Sequence, residues 1–186
     1  MIEYFDVVDM QDRPIGKKTT YKESHANGIL HRCVAVFVFD KNGLLYVQKR
    51  KGITPHLDHT VGGHVSAGEE YSTAAVREAE EEVGLTEKLN PVVTSLYSDE
   101  TCNPKFKVRH IFGVFECTPS STWKFEPNDE VQVIYPESID NIVKQMMQRP
   151  GRFAPGFINT LESYIKIKKL NITFDAEWCR KNWREL

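Results

Sequence analysis

The stretch GHVSAGEEYSTAAVREAEEEVGL, residues 63–85, carries most of the information about the architecture of this chain. It predicts a helix over 71–83, because apolar residues recur there at helical spacing. Gly84 follows at the position where glycine commonly ends a helix.

Four glutamates crowd the end of the predicted helix, but they do not all point the same way. On a wheel of about 100° per residue, with Glu78 at 0°, Glu82 falls at about 40° and Glu81 at about −60°. Glu80 falls at about 200°, on the opposite side. Like charges one turn apart repel, and grouped carboxylate oxygens suit a hard divalent cation such as Mg²⁺ or Mn²⁺. Taken alone, the acidic face is either solvated or a cation site.

An apolar stripe lies beside these acids on the wheel, between about 60° and 160°. Its members are mostly small: Ala75, Val76, Ala79 and Val83. Small residues let a helix approach a sheet closely, which would place the three acids at the edge of the packed face. Partial burial there makes their mutual repulsion costly unless a cation is present.

The rest of the chain alternates strand-like and helix-like segments. Runs rich in β-branched and aromatic residues predict strands over 3–9, 31–40, 44–50, 91–98, 108–117 and 130–136. The turn signal KNG (41–43) predicts that the second and third of these strands pair as a hairpin, and 11–16 and 51–62 are predicted as a turn and a loop. Further helices are predicted over 138–148, 155–170 and in the last dozen residues, with Trp178 and Trp183 as packing anchors. This order predicts one α/β domain over 1–186, a sandwich around a mixed sheet with a C-terminal helical extension.

The composition restricts the environment and the partners. The chain has 186 residues and a formal net charge of −2, which gives no electrostatic reason to expect nucleic acid or a membrane surface as the partner. The N-terminus lacks the basic start of a signal peptide, and the longest apolar run, 34–39, is too short to cross a bilayer. The four cysteines show no CxxC spacing, and a buried structural thiol is expected at Cys33. We therefore expect a cytoplasmic protein.

Residues 63–85 also fit the pattern G-x5-E-x7-R-E-U-x-E-E-x-G-U and thereby resemble the Nudix family. The matching positions are Gly63, Glu69, Arg77, Glu78, Glu81, Glu82, Gly84 and Leu85. The one departure is Ala79, where a larger aliphatic residue is usual. That change is mild, because Ala79 lies on the apolar stripe.

The resemblance implies an α/β/α sandwich that hydrolyses a diphosphate linked to another moiety with Mg²⁺ or Mn²⁺. It assigns the metal to Glu78, Glu81, Glu82 and the backbone carbonyl of Gly63. It also implies that Glu69 and Arg77 form an ion pair that braces the loop on the helix.

The chemistry expected of this family needs a carboxylate that accepts a proton from an attacking water. A bound metal offsets charge on the diphosphate and lowers the pKa of the water. Glu82 is our choice of base, with Glu81 as a second catalytic carboxylate. Glu130, which precedes the last predicted strand, is an alternative because an acid there is frequent in the family.

A second resemblance, through HRCVAVFVFD (31–40) and GHVSAGE (63–69), is to the isopentenyl diphosphate isomerase branch of the family. Isomerases of this branch bind a metal through histidines in corresponding segments. His25, His31 and His64 fall near those positions, although the gap between the first two is one residue short. They are candidates for a second metal site, with surface or capping histidines as the other interpretation.

The acid–base residues of the isomerase are absent from the matching positions. Gly62 stands where the isomerase has its catalytic cysteine, and no nearby residue is expected to supply a thiol. Val108 and His110 align with its glutamate pair, and Gly156 with its aromatic tryptophan. Allylic isomerisation needs a proton donor and an acceptor on opposite faces of the substrate. The sequence thus favours hydrolysis over isomerisation, and a non-catalytic ligand-binding module is a third interpretation.

Residues outside the motif of residues 63–85 are expected to bind the substrate. That substrate is a small diphosphate, which the sequence does not identify. Arg50 is the first candidate, because a guanidinium matches a pair of phosphate oxygens. Lys49 and His64 are further candidates, and Lys107 and Arg109 are weaker ones. His56 and His59 are expected in a loop near the substrate, and a homodimer is expected only because many relatives of the family dimerise.

Overall fold

A computed structural model describes residues 2–51, 56–100, 107–126, 129 and 131–184. The strands are β1 Phe5–Val8, β2 Pro14–Thr19, β3 His31–Val38, β4 Leu45–Arg50, β5 Leu57–Asp58, β6 Val61–His64, β7 Asn90–Asp99, β8 Arg109–Cys117 and β9 Val131–Glu137. The helices are α1 Tyr21–Asn27, α2 Tyr71–Val83, α3 Ile139–Gln148, α4 Pro155–Ile167 and α5 Ala176–Asn182. None of the described helices has the length and apolar character needed to cross a membrane.

The strands form two sheets. The larger has the order β2-β1-β3-β8-β7, with β6 also paired to β3, and the smaller has the order β5-β4-β9. Strands β3 and β8 are parallel, whereas the other pairs are antiparallel. The large sheet is therefore mixed, which confirms the predicted fold class.

Strand β3 lies at the centre and is buried on both faces, as its unbroken apolar sequence suggests. One face packs against α2 through Val34, Val36 and Val38. The other face packs through Cys33, Ala35 and Phe37 into a larger core with α3, α4 and α5. Helices thus cover both faces of the sheet, as in an α/β/α sandwich.

Helix α2 approaches the sheet closely because its buried face is built from alanines. Ala74, Ala75 and Ala79 are fully buried against β3 and its neighbours. Val76, placed on the apolar stripe by the wheel, is 44% exposed, so the true stripe is narrower and centred on the alanines. Gly84 ends the helix at φ 63°, and its N–H donates to the carbonyl of Glu80.

Three local predictions were wrong. The hairpin predicted across KNG does not form, because β4 leaves β3 after a single bridge from Phe39 to Leu45 and enters the smaller sheet. Strand β2 occupies part of the predicted turn, and β6 part of the predicted loop. Helix α1 also lies in a segment for which no helix was predicted, capped by Thr20 and ended by Gly28 at φ 66°.

The C-terminal segment is part of the main core. Asp175 caps α5 by accepting from the N–H of Trp178 at 2.8 Å. Trp183 is 9% exposed, and its Nε1 donates to the carbonyl of Phe153 at 2.9 Å. Trp178 is 41% exposed, so only one of the two predicted tryptophan anchors packs inside.

Candidate active site

Glu78 lies directly on the backbone of β6. Gly63 faces α2 at this point, and a Cβ atom there would lie 2.0 Å from the carboxyl carbon of Glu78. Any larger residue would force this carboxylate away. The glycine of the motif thus makes the room in which the first predicted metal ligand sits.

Arg77 ties the loop before α2 to the acidic face. Its Nε and Nη2 donate to the two oxygens of Glu69 at 3.1 and 3.0 Å, and Nη2 also donates to the carbonyl of His64 at 3.0 Å. Its Nη1 donates to Glu78 at 2.8 Å and to Glu81 at 3.3 Å. The ion pair expected between Glu69 and Arg77 is therefore present, and the arginine also contacts two of the acids.

Glu82 is the most deeply buried acid of the motif, at 4% exposed. Its Oε2 accepts from Gln48 Nε2 at 3.0 Å and from the N–H of Gly62 at 3.2 Å. Its Oε1 lies 3.3 Å from Arg50 Nη2. Burial raises the pKa of Glu82 to about 7, although these three donors oppose the rise. Gln48 was missed by the sequence analysis, because nothing in the β4 sequence marks it as a partner of α2.

The two remaining glutamates are exposed. Glu80 is exposed, and the helical spacing places it on the opposite side of α2 from Glu78. Glu81 lies on the same side as Glu78, where it contacts Arg77. Glu130, the alternative base, lies outside the described residues.

The donor set fits a hard divalent cation. It offers carboxylate oxygens from one helix beside the backbone of Gly63, the ligand type that Mg²⁺ and Mn²⁺ prefer. Burial also raises the pKa of Glu78, against the effect of Arg77. One buried and one half-buried carboxylate whose charged forms are disfavoured are the situation that a bound cation relieves.

A cavity of about 350 Å³ opens on the other face of β6, where Gly62 and His64 point. Arg50, Asp58 and His59 form part of its polar wall. Its apolar wall comes from Val108, Phe112, Ala154, Pro155 and Gly156. The cavity therefore adjoins the acidic site across a single strand, with Arg50 reaching both.

Four histidines converge beside this cavity. His25, His31, His64 and His110 each place one ring nitrogen within 4.8 Å of those of the other three. Three of them are the residues that the sequence analysis considered for a second metal. His110 joins them because β3 and β8 run parallel with His31 opposite His110, a pairing that the sequence does not reveal.

The pKa values of the four histidines are shifted in different directions. Burial lowers the pKa of His25 to about 4 and that of His31 to about 3, and it lowers the pKa of His64 as well. Although burial opposes it, Cys33 and Glu100 raise the pKa of His110 well above its usual value. The other three imidazoles are accordingly neutral at pH 7 and able to act as ligands.

The residues that were predicted to bind or lie near the substrate have different surroundings in the structure. Arg50 donates to the carbonyl of Gly62 at 2.6 Å and contacts Glu82, so it supports the acidic site while lining the cavity. Lys49 is half-buried on β4. Arg109 donates to the carbonyl of Gly28. His59 is buried between Asp58 Oδ1 at 2.7 Å and Thr160 Oγ1 at 2.6 Å.

Cys33 places a thiol at the cavity. Cys33 on β3 pairs with His64 on β6, and its side chain lines the cavity. Val108, His110 and Gly156 line the same cavity. The pairing of β6 with β3, which brings Cys33 beside His64, was not predicted from the sequence, because the predicted hairpin paired β3 with β4 instead.

Fold and site together define an α/β/α domain in which an arginine-braced acidic helix lies over a glycine of the sheet. The NUDIX domain family matches residues 29–155, and the chain belongs to this family. The family membership predicted from the motif of residues 63–85 is thereby confirmed.

Relatives of two kinds support this membership. The chain is 33% identical over 158 residues to an isopentenyl-diphosphate Delta-isomerase of Pectobacterium atrosepticum. The aligned region covers 81% of this chain and 85% of that protein. The chain is 33% identical over 171 residues to an uncharacterised Nudix hydrolase of Yersinia pestis, which spans 89% and 87%. A crystal structure of a Deinococcus radiodurans protein shares the fold with a TM-score of 0.62 at 21% identity, over 78% of this chain and 89% of that one.

Proposed function

We propose that the protein hydrolyses a diphosphate bond in a nucleoside diphosphate derivative or another small organic diphosphate. Glu78, Glu81, Glu82 and the Gly63 carbonyl would hold Mg²⁺ or Mn²⁺. The observation that supports this most directly is the Glu78 carboxylate seated on Gly63, with Arg77 fixing the helix above it. A cytoplasmic location belongs to the same proposal.

Each residue of the site has its own proposed role in the hydrolysis. The bound cation would offset diphosphate charge and lower the pKa of the attacking water. Glu82 is the proposed acceptor of that water's proton, because its carboxylate is buried beside Arg50, where the acidic site meets the cavity. Gln48 and the Gly62 N–H hold Glu82 in place. Glu130 is the alternative base, and Glu81 supports the cation from the exposed side.

Substrate contacts would come from the cavity side of β6. Arg50 already contacts Glu82 and lines the cavity, so its guanidinium can reach a diphosphate oxygen while staying near the base. Lys49 and His64 are the other proposed contacts. Phe112, Pro155 and Ala154 would lie against an apolar part of the substrate.

The test is a substrate panel of nucleoside diphosphate derivatives and small organic diphosphates, assayed with Mg²⁺ or Mn²⁺. We expect release of phosphate or a monophosphate, and Glu82→Gln should reduce turnover by about 10²- to 10⁴-fold without loss of the fold. Glu80→Gln is the matched control, because Glu80 is exposed on the far side of the helix. Tight binding of one compound without turnover would instead support the non-catalytic module.

A second candidate is isomerisation of an isoprenoid diphosphate, favoured by one observation. Cys33 places a thiol on the cavity wall opposite His64, so the loss of the cysteine at Gly62 does not leave the cavity without one. The Pectobacterium relative is named as such an isomerase. NMR spectra of isopentenyl diphosphate incubated with the protein separate the two activities, because isomerisation moves the double bond and releases no phosphate. A Cys33→Ser variant should lose only the isomerisation.

A further inference from the structure

We infer that Asp58 is a positioning residue that holds the Arg50 guanidinium on the cavity wall, where it meets a diphosphate group of the substrate. His59, itself bound to Thr160 of α4, fixes Asp58 in this position. This role rests on the proposed contact between Arg50 and the diphosphate. Asp58 acts through Arg50 and not on the substrate itself.

The pairing of β4 with β5 brings Asp58 to Arg50. Asp58 lies opposite Gln48 in the register of these two strands, and Arg50 follows Gln48 by two residues on β4. The Nε of Arg50 donates to Gln48 Oε1 at 3.0 Å. The same Nε lies 3.5 Å from Asp58 Oδ2, an ion-pair distance longer than a usual hydrogen bond. The small sheet thus sets a carboxylate against one edge of the guanidinium.

The other edge of this guanidinium faces the acidic site. The Nη2 of Arg50 donates to the carbonyl of Gly62 at 2.6 Å and lies 3.3 Å from Glu82 Oε1. Contacts along two edges fix the orientation of a planar guanidinium. Glu82 is also a proposed ligand of the cation, so Asp58 is the acid that can hold Arg50 independently of the metal. The Arg50 side chain is still 43% exposed and retains surface for a phosphate group.

His59 fixes Asp58 through two contacts to one oxygen. Asp58 Oδ1 accepts from the backbone N–H of His59 at 2.8 Å and lies 2.7 Å from Nδ1 of the ring. Because His59 occupies Oδ1, Oδ2 is the oxygen turned to Arg50. Although burial opposes it, His59 and Arg50 lower the pKa of Asp58 to about 2, so this carboxylate is ionised at pH 7.

His59 is held on its other side by helix α4. Its Nε2 lies 2.6 Å from Thr160 Oγ1, a hydroxyl that can donate to this nitrogen or accept from it. Three phenylalanine rings pack around the imidazole, with centroids between 5.1 and 5.9 Å away: Phe37, Phe112 and Phe157. Both ring nitrogens are occupied and the residue is 3% exposed, so His59 is placed to support Asp58 and not to exchange a proton with the substrate.

Binding of imidodiphosphate, a diphosphate analogue that resists hydrolysis, tests this role in the full-length protein without an activity assay. Titration calorimetry in the presence of Mg²⁺ measures its affinity for the wild type, Asp58→Asn, Arg50→Ala and the double variant. We expect Asp58→Asn, which removes the charge and keeps the shape, to weaken binding about tenfold. Arg50→Ala should weaken it by about 10- to 100-fold. In the Arg50→Ala background, Asp58→Asn should have no further effect, because Asp58 acts through Arg50.

Two further variants control this comparison. Glu80→Gln removes an exposed charge on the far side of α2 and should bind imidodiphosphate as the wild type does. Thr160→Val removes the hydroxyl behind His59 and should weaken binding by about two- to fivefold, again only when Arg50 is present. Thr160→Val also provides the test if Asp58→Asn does not fold. With a hydrolysed substrate, Asp58→Asn should raise KM more than it lowers kcat.

Three results would overturn the inference. The first is equal weakening by Asp58→Asn with and without Arg50, because Asp58 would then act through the fold alone. The second is an unchanged affinity in Asp58→Asn, and the third is a wild-type protein that does not bind imidodiphosphate. A substrate panel without turnover would instead count against the proposed hydrolysis and would leave these affinities measurable.

Discussion

At the scale of single residues, two adjacent glycines of β6 carry different constraints. Gly63 faces α2 and touches the Glu78 carboxylate, whereas Gly62 faces the cavity, where a Cβ would lie 3.3 Å from His59 Nδ1. The alternation of side-chain direction along a strand separates the two functions. Substitution at each position therefore probes one side of the sheet.

Gly63→Ala should reduce hydrolysis by about 10²-fold, because the methyl group would displace Glu78 by an ångström or more from the position that Gly63 allows. The defect should appear as a raised Mg²⁺ requirement in steady-state kinetics at several metal concentrations.

Gly62→Ala is the matched change on the other face. Its methyl group meets only the side chains of His59 and Arg50 within 3.8 Å, so we expect at most a several-fold loss. Equal losses for the two alanine variants would contradict the role given to Gly63. Circular dichroism of both variants checks that the fold is kept.

At the scale of the elements, α5 and the residue after it close the main core. Trp183 packs with the core and donates to the carbonyl of Phe153, whereas Trp178 of α5 is 41% exposed. Trp183→Ala should lower the free energy of unfolding by about 3–5 kcal/mol, as large cavities in cores do. Trp178→Ala should change it by less than about 1 kcal/mol.

Urea unfolding of both tryptophan variants, followed by circular dichroism, measures this difference. A similar loss of stability in the two variants would mean that α5 packs through a different face. An unchanged stability for Trp183→Ala would mean that the C-terminal segment is not part of the cooperative core.

The elements that sequence analysis predicted well are those whose signals are local. Strand β3 was predicted because burial on both faces leaves a continuous apolar run, and α2 because its period and Gly84 agree. The pairing of β4 was mispredicted, since a turn signal such as KNG reports a reversal of direction but not the sheet that the strand then joins. Strand β2 was missed because Pro14 and Gly16 resemble a turn.

At the scale of the whole molecule, the site depends on contacts between distant segments. The acids of α2 were predictable because their spacing is fixed by one helix. Gln48 contacts Glu82 across 34 positions, and His110 meets His25 across 85, so both depend on how the sheets assemble. The acidic helix could therefore be predicted from the sequence, whereas Gln48 and His110 could not be placed beside it or beside the other histidines.

Burial of Glu82 couples the stability of the whole protein to pH. Its pKa in the folded, metal-free chain is raised from 4.5 to about 7. The folded state consequently binds a proton more tightly than the unfolded state does, so the stabilising contribution is complete below pH 4.5 and is lost as the pH rises through 7. At pH 8 the ionised, buried carboxylate should cost about 3 kcal/mol in the absence of metal.

Glu82→Gln removes this titration while keeping a side chain of the same shape. In chelator-treated samples, we expect the variant to gain stability over the wild-type protein steadily from pH 5 to about pH 7, with little further gain up to pH 8. Glu80→Gln should follow the wild-type curve, because Glu80 is exposed. Denaturant unfolding at a series of pH values measures the difference, and parallel curves for wild type and Glu82→Gln would refute it. Mg²⁺ or Mn²⁺ at pH 8 should stabilise the wild type more than Glu82→Gln, since a cation bound beside the ionised carboxylate offsets the cost of its burial.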